Sequence, residues 1–263
     1  MRKQSLDARE ILIDILAALM FLSKFPVSWE KISEDPPDFS RAFWAFPLIG
    51  LFLGSISGCV TLLFSFLGLS SFVSVTIGIS IGMLITGALH EDGLADSFDG
   101  LIGGNTTEQK IEIMRDSKIG TYGCIALLLN ILIKIGCLTS LAEQSLWLVF
   151  SGFIVSGALG RAMIVFLRSM SDPVSDKGLS SITERTEGAV LWSALGIAFL
   201  SAIIFAPFWV AIVGFILCII FTYFIRAYVE NKLGGITGDI LGATEQLSEL
   251  IFLLLFASIW GML

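Results

Sequence analysis

The sequence predicts an all-α integral membrane protein of about seven transmembrane helices, preceded by a short interfacial or re-entrant helix. Three observations carry that reading. Of the 263 residues, 55% are hydrophobic and only 15% charged, against roughly 25% charged residues in an ordinary soluble domain. Apolar stretches close to the roughly 20 residues that a helix needs to cross a bilayer recur along the chain. The connections between them alternate between charged and bare.

In chain order, the basic start Met1 to Glu10 and the apolar segment Ile11 to Ser23 resemble a signal peptide. Asp14 interrupts the apolar part and no small-x-small cleavage site follows, so the segment is expected to remain uncleaved. It is short for a span and is expected to lie at the interface or to re-enter. Spans are predicted at Ala42 to Leu69, Ser71 to His90, Thr121 to Leu141, Leu146 to Ser169 and Leu247 to Leu263. The run Ala189 to Ile225 is too long for one helix, and Pro207 breaks its hydrogen-bond ladder, so it counts as two spans.

Between these lie polar connections at 24–41, 91–120, 170–188 and 226–246, which carry most of the Lys and Arg. The alternate connections at Ser70, Ala142 to Ser145 and Ala206 to Phe208 contain neither residue type. The positive-inside rule therefore places the four charged connections in the cytoplasm and the C-terminus outside. Residues 1–263 are expected to form a single membrane-embedded domain.

A net charge of -7 and a pI near 4.7 exclude nucleic acid as the expected partner, because a phosphate backbone needs clustered cations. An anionic substrate would need a bridging cation. Cys59, Cys124, Cys137 and Cys218 are isolated in apolar runs, without zinc-site or disulfide spacing. His90 is the sole histidine, which disfavours histidine-rich metal sites.

The stretch from His90 to Gly104 follows an apolar span directly. If the helix continues, about 100° per residue brings Asp92, Asp96 and Asp99 onto one stripe, since they are related as i, i+4 and i+7. Gly93, Gly100 and Gly103 flank the stripe, and Leu94, Phe98 and Leu101 back it. Like charges at such spacing repel, so a divalent cation should relieve them. An all-oxygen donor set suits Mg²⁺, Mn²⁺ or Ca²⁺.

The next element is expected to start at Thr106 or Thr107, where Thr106 and Gln109 have capping-box spacing. It should lead straight into the following span, bringing Asp116 to the stripe with Arg115 and Lys118 facing anionic oxygens. On the same side, Gly234 to Ala243 places four glycines around Thr237 and Asp239, permitting close backbone approach to a ligand. Lys134 and Arg161 lie within spans and Glu249 near the start of the last. Intramembrane charge is costly and points to function by default. Arg161 is expected to reach the acidic site, and Lys134 to pair with another buried group.

Taken together, Gly87 to Asp96 with Asp99-Gly100, then Glu112 to Gly123, then Gly234 to Asp239 resemble the cobalamin synthase (adenosylcobinamide-GDP ribazoletransferase) family. Phe21 to Val27 and Phe46 to Gly50 extend the likeness over nearly the whole chain. The resemblance implies a Mg²⁺-dependent enzyme of the cytoplasmic (inner) membrane. Such an enzyme joins α-ribazole, or its 5′-phosphate, to adenosylcobinamide-GDP and releases GMP in the last steps of cobalamin biosynthesis. It leaves open an association with other late corrinoid-pathway enzymes or with a second copy of the chain.

Asp96-x-x-Asp99-Gly100 with a distant Asp116 is also similar to CDP-alcohol phosphotransferases. Gly103-Gly104 stands where that family has Ala-Arg, and its final Asp is missing near Gly120 and Thr121. By analogy with that chemistry, Asp96, Asp99 and Asp116 are the expected metal ligands, with Asp92 a ligand or general base. Glu91 would support them, Asp239 would be a further ligand or a substrate contact, Thr237 and Gly238 would contact substrate, and Arg115, Lys118 and Arg161 would hold phosphate. A transporter would use similar residues, but nearer the bilayer midplane.

Overall fold

The fold is described from a computed structural model over residues 8–174, 186 and 188–260. It is an all-helical bundle, and its central helix explains how the rest assemble. Helix α1 spans Ala8–Leu22, α2 Phe39–Ala42, α3 Phe46–Phe66, α4 Ser71–Thr86, α5 Leu89–Gly103 and α6 Thr107–Arg115. Then follow α7 Thr121–Gln144, α8 Leu146–Met170, α9 Gly188–Phe205, α10 Phe208–Leu233 and α11 Gly238–Trp260. Every residue of α8 from Ser151 to Arg168 is buried, because α3, α7, α9, α10 and α11 surround it.

Among the described residues, six helices are long and apolar enough to cross a membrane, and α4 with α5 would make a seventh if taken as one bent span. Outward-facing side chains such as Phe66, Leu84, Trp192, Ile204 and Phe224 are 68–77% exposed. A soluble protein avoids so extensive an apolar surface, whereas lipid requires it. Inside the bundle there is no hydrophobic gain from leaving lipid, so close packing holds the helices together. The α3–α8 contact shows this. A Cβ on Gly157 would lie 2.9 Å from the Gly50 carbonyl oxygen, and one on Gly50 would overlap the Gly157 carbonyl. The glycines bring two backbones together.

The bare connections fold as tight turns, with Ser70 Oγ accepting the Val73 amide and Ser145 Oγ accepting the Trp147 amide. Pro207 stands immediately before α10. Helix α1 is 15 residues long, about 22 Å, too short to cross. It packs on α2 and α3, and its buried Asp14 accepts 2.7 Å and 3.0 Å bonds from Arg41 and Trp44.

Three expectations are corrected. The helix after Ser71 does not continue into the acidic stretch: Gly87 and Ala88 both take positive φ, and α5 leaves the axis of α4 by 87°. Glycine adopts that conformation freely, and Ala88 is held in it by its amide bond to the Met83 carbonyl. Helix α5 therefore lies across one end of the bundle, outside the spanning segments. Second, 226–246 is almost all helix, α10 running on to Leu233 and α11 starting at Gly238 rather than Leu247. Third, 91–120 holds the two expected helices, α5 and α6, but α6 ends at Arg115 instead of running into the span that starts at Thr121. Most of the charged connection 170–188 lies outside the described residues. Its first part is tied to the turn before α11, with Ile236 donating to the Asp172 carbonyl and Val174 to that of Ile236.

Candidate active site

Helix α5 rests on α11 and on the start of α7, and glycine decides how closely. A Cβ on Gly93 would stand 2.8 Å from the Asp239 carbonyl oxygen and 3.3 Å from the Gly242 Cα. Only this bare crossing lets the acidic stripe face Asp239 across a narrow gap. Asp92 is exposed, Asp96 half-buried and Asp99 buried.

The three aspartates occupy different environments. Asp99 accepts the amides of Gly120 at 2.7 Å and Gly123 at 2.9 Å, so its charge sits on the positive end of the α7 dipole. The Asp96 carboxyl is pushed up to about 7, first by burial and then by Asp92, Asp239 and Asp99 around it. The Asp96 carboxyl is thus crowded by three other carboxyls, and their mutual repulsion is what a nearby positive charge would relieve. As the side chains stand, no three such groups among the described residues converge tightly enough to chelate a metal ion.

Across the gap, Thr237 Oγ1 accepts the Ile240 amide at 3.3 Å and donates to Asp239 at 3.3 Å, while Gly238 opens α11. Thr237 thus caps the helix and aims the carboxylate together. Arg115, at the end of α6, is near enough to act electrostatically on Asp239. The capping box at Thr106 and Gln109 is present, but α6 stops at Arg115 instead of running into α7. Asp116 and Lys118 are exposed on the short connection, where Asp116 accepts the Lys118 amide at 3.1 Å. Asp116 lines a surface hollow with Glu108, Glu112 and Arg115 rather than the gap at Asp96.

Glu91 and Arg161 go elsewhere. They turn into the bundle and line an interior cavity with His90, Lys134, Gln246 and Glu249. Arg161 lies 2.8 Å from Glu245 and 3.3 Å from Glu249, and Lys134 lies 2.6 Å from Glu249. Gln246 accepts from Lys134 and Asn130, each at 2.7 Å, and donates to Glu91 at 3.1 Å. His90 lies 3.4 Å from Glu245. The expected pairing of Lys134 is found, whereas the Arg161 guanidinium is occupied by carboxylates of α11. Breaking such a buried pair leaves an uncompensated charge, so the network clamps α5, α7 and α8 to α11. Its members Asn130, Glu245 and Gln246 escaped the sequence reading. The i, i+4 spacing of Glu245 and Glu249 was the available signal, opposite two intramembrane cations that need counter-charges.

The contrast between Asp99 and Asp96 gives a stability test. In metal-free protein, Asp99→Asn is expected to lower stability by about 1 kcal/mol, through loss of the charged cap. Asp96→Asn is expected to leave it unchanged or raise it, because repulsion is relieved. Thermal unfolding in detergent at pH 8 checks both, and equal destabilisation by the two would remove the distinction.

Residues 14–257 match the CobS family, described as cobalamin-5-phosphate synthase. A protein of Bradyrhizobium diazoefficiens named adenosylcobinamide-GDP ribazoletransferase is 36% identical over 250 residues, 95% of each chain. Proteins of the same name from Rhizobium etli and Thermoanaerobacter pseudethanolicus are 33% and 32% identical, covering 95% and 93% of this chain and 98% and 97% of their own. No solved structure matches. With nearly the full length of the chain matched, and the acidic helix and the glycine turn within that match, the protein belongs to the CobS cobalamin-5-phosphate synthase family.

Proposed function

We propose that this chain is a Mg²⁺-dependent transferase of the cytoplasmic membrane. It joins α-ribazole or its 5′-phosphate to adenosylcobinamide-GDP and releases GMP, giving adenosylcobalamin or its 5′-phosphate. The observation that carries this is the gathering of Asp92, Asp96, Asp99 and Asp239 at one end of the bundle in a chain of this family. The positive-inside pattern favours the cytoplasm for that end.

Asp96, Asp99 and Asp239 would hold the ion, whose bound charge would neutralise the diphosphate and the departing GMP. Asp99 keeps lone pairs beyond those taken by the two amides. Asp116 would complete the set by moving inward from its exposed turn. Asp92, the most open of the stripe, accepts the proton of the ribazole sugar hydroxyl as its oxygen bonds to the phosphorus attached to cobinamide. The bond from that phosphorus to the bridging oxygen breaks, and GMP leaves with the electron pair. Arg115, which acts electrostatically on Asp239, and Lys118 on the connection that follows it would hold its phosphate oxygens. Arg161 acts through the buried network and orients α5.

The test is incubation of the purified protein with adenosylcobinamide-GDP, α-ribazole and Mg²⁺. Stoichiometric joined corrinoid and GMP are expected. Release of CMP from a CDP-alcohol, with no corrinoid product, would replace this reading with the phosphotransferase one.

A pH dependence follows from Asp96. Its carboxyl carries a proton below about pH 7 and is ionised above it. The ion must displace that proton, so the Mg²⁺ concentration for half-activation should fall as pH rises from 6 to 8, approaching tenfold per unit below 7. In the metal-free state the raised pKa favours the protonated fold, so stability falls as pH rises through 7. Mg²⁺ should therefore raise the unfolding temperature more at pH 8 than at pH 6, and a pH-independent Mg²⁺ effect would exclude Asp96 as a ligand.

A further inference from the structure

An apolar groove of about 180 Å³ opens between α5, α10 and α11. Ser97, Val229, Ile240 and Ala243 form its buried floor, and the half-exposed Ile102 and Tyr228 form its rims. Phe98 and Leu101 complete the α5 wall. By helical spacing they stand on the face of α5 away from Asp96, so the groove is distinct from the acidic gap. Beside its rim, the Lys232 ammonium lies 5.9 Å from the centre of the Tyr228 ring. Arg226 and Glu230, earlier in the same helix, pair with each other at 2.9 Å. Lys232 has no carboxylate partner among the described residues.

Position and charge together identify the occupant. Leu217, Ile220, Phe224 and Tyr228 follow one another at helical spacing along α10 and are 39–69% exposed, so the lipid-facing stripe of that helix runs into the groove. Lys232 comes one turn later. An aromatic ring followed by a lysine is the pattern of a helix leaving the hydrocarbon through the interface. We infer that the groove binds one anionic phospholipid, with an acyl chain along Phe98, Leu101 and Tyr228 and the phosphate at Lys232. Ser97 Oγ, in the floor, has no hydrogen-bond partner among the described residues, and an ester carbonyl of the lipid would accept from it. A water-soluble solute fits poorly: apart from Ser97 and Tyr228 the lining is apolar, and would leave a solute's polar groups unpaired. The chain would fill the space behind the acidic helix, supply the dispersion contacts that an empty groove forgoes, and so brace α5 against α11.

The test uses purified protein in detergent micelles doped with phosphatidylglycerol or phosphatidylcholine, with retained lipid counted by native mass spectrometry. Wild type should retain one phosphatidylglycerol in preference to phosphatidylcholine. Lys232→Gln is expected to weaken that retention about fivefold, the effect of one interfacial lysine on an anionic headgroup. Lys31→Gln, which removes an exposed charge from the connection between α1 and α2, should leave it unchanged. Leu101→Trp fills the groove and should abolish it. Hydrogen exchange over residues 97–103 should slow when phosphatidylglycerol is added to wild type, and much less in Lys232→Gln. Equal retention of the two lipids, equal weakening by Lys232→Gln and Lys31→Gln, or exchange that ignores the lipid overturns the assignment. Full retention in Lys232→Gln does so even if Leu101→Trp does not fold. A second copy seated in the groove instead would appear as a lipid-free dimer, and would overturn it too. None of these readouts requires turnover, so they hold whatever reaction the acidic site performs.

Discussion

Asp96→Asn is expected to lower Mg²⁺-dependent GMP release by about two to three orders of magnitude, the usual consequence of removing a charge that neutralises a transition state. The side chain keeps its size and loses its charge at the most crowded point of the acidic face, between Asp92, Asp99 and Asp239. Membrane insertion should be unaffected, since Asp96 is half-buried on a helix outside the spans. Turnover with purified variant, alongside its unfolding temperature, separates chemistry from folding. Wild-type turnover in Asp96→Asn would end the metal assignment.

Gly93→Ala should be nearly as damaging without touching any charged group. Its Cβ would meet the Asp239 carbonyl oxygen at 2.8 Å and the Asp239 Cα at 3.2 Å. These are backbone atoms of α11 and cannot rotate aside, so α5 must move. Overpacking of this kind costs about 1–3 kcal/mol. The same shift widens the gap between Asp96 and Asp239, and a displacement of about 1 Å at a reacting centre costs on the order of a hundredfold in rate. Gly196→Ala in α9 is the control, because a Cβ there meets nothing within 4 Å. It should leave activity intact and stability equal or slightly higher. If Gly93→Ala matches the control in turnover, the α5–α11 crossing does not set the site.

Much of the candidate site was legible because its signals are local. Asp92, Asp96 and Asp99 share a face by helical spacing alone, and α5 supplies that helix even though it does not continue α4. The Thr237 to Asp239 turn was visible from its glycines, and α11 brings it against Gly93. Asp116 was harder to place. Sequence spacing suggested one helix from Thr106 into the span, whereas α6 ends at Arg115 and leaves Asp116 on an exposed turn. Arg161 shows the same limit more strongly. Its position in an apolar run marks a charge in need of a partner, but two carboxylates of α11 compete for it with any phosphate, and they are already in place.

By itself, the sequence determined the membrane class, the alternation of bare and charged turns, and the helical stripe of aspartates, because hydropathy and side-chain period depend only on near neighbours. Only the tertiary structure decided that α5 turns through 87° at Gly87 and Ala88, that Asp239 rather than Asp116 faces Asp96, and that Glu91 and Arg161 join an interior network. The partners of Arg161 and Lys134 at Glu249 lie 88 and 115 positions away. In a medium that offers no water to a buried charge, such pairings are set by which helices the glycines allow to touch.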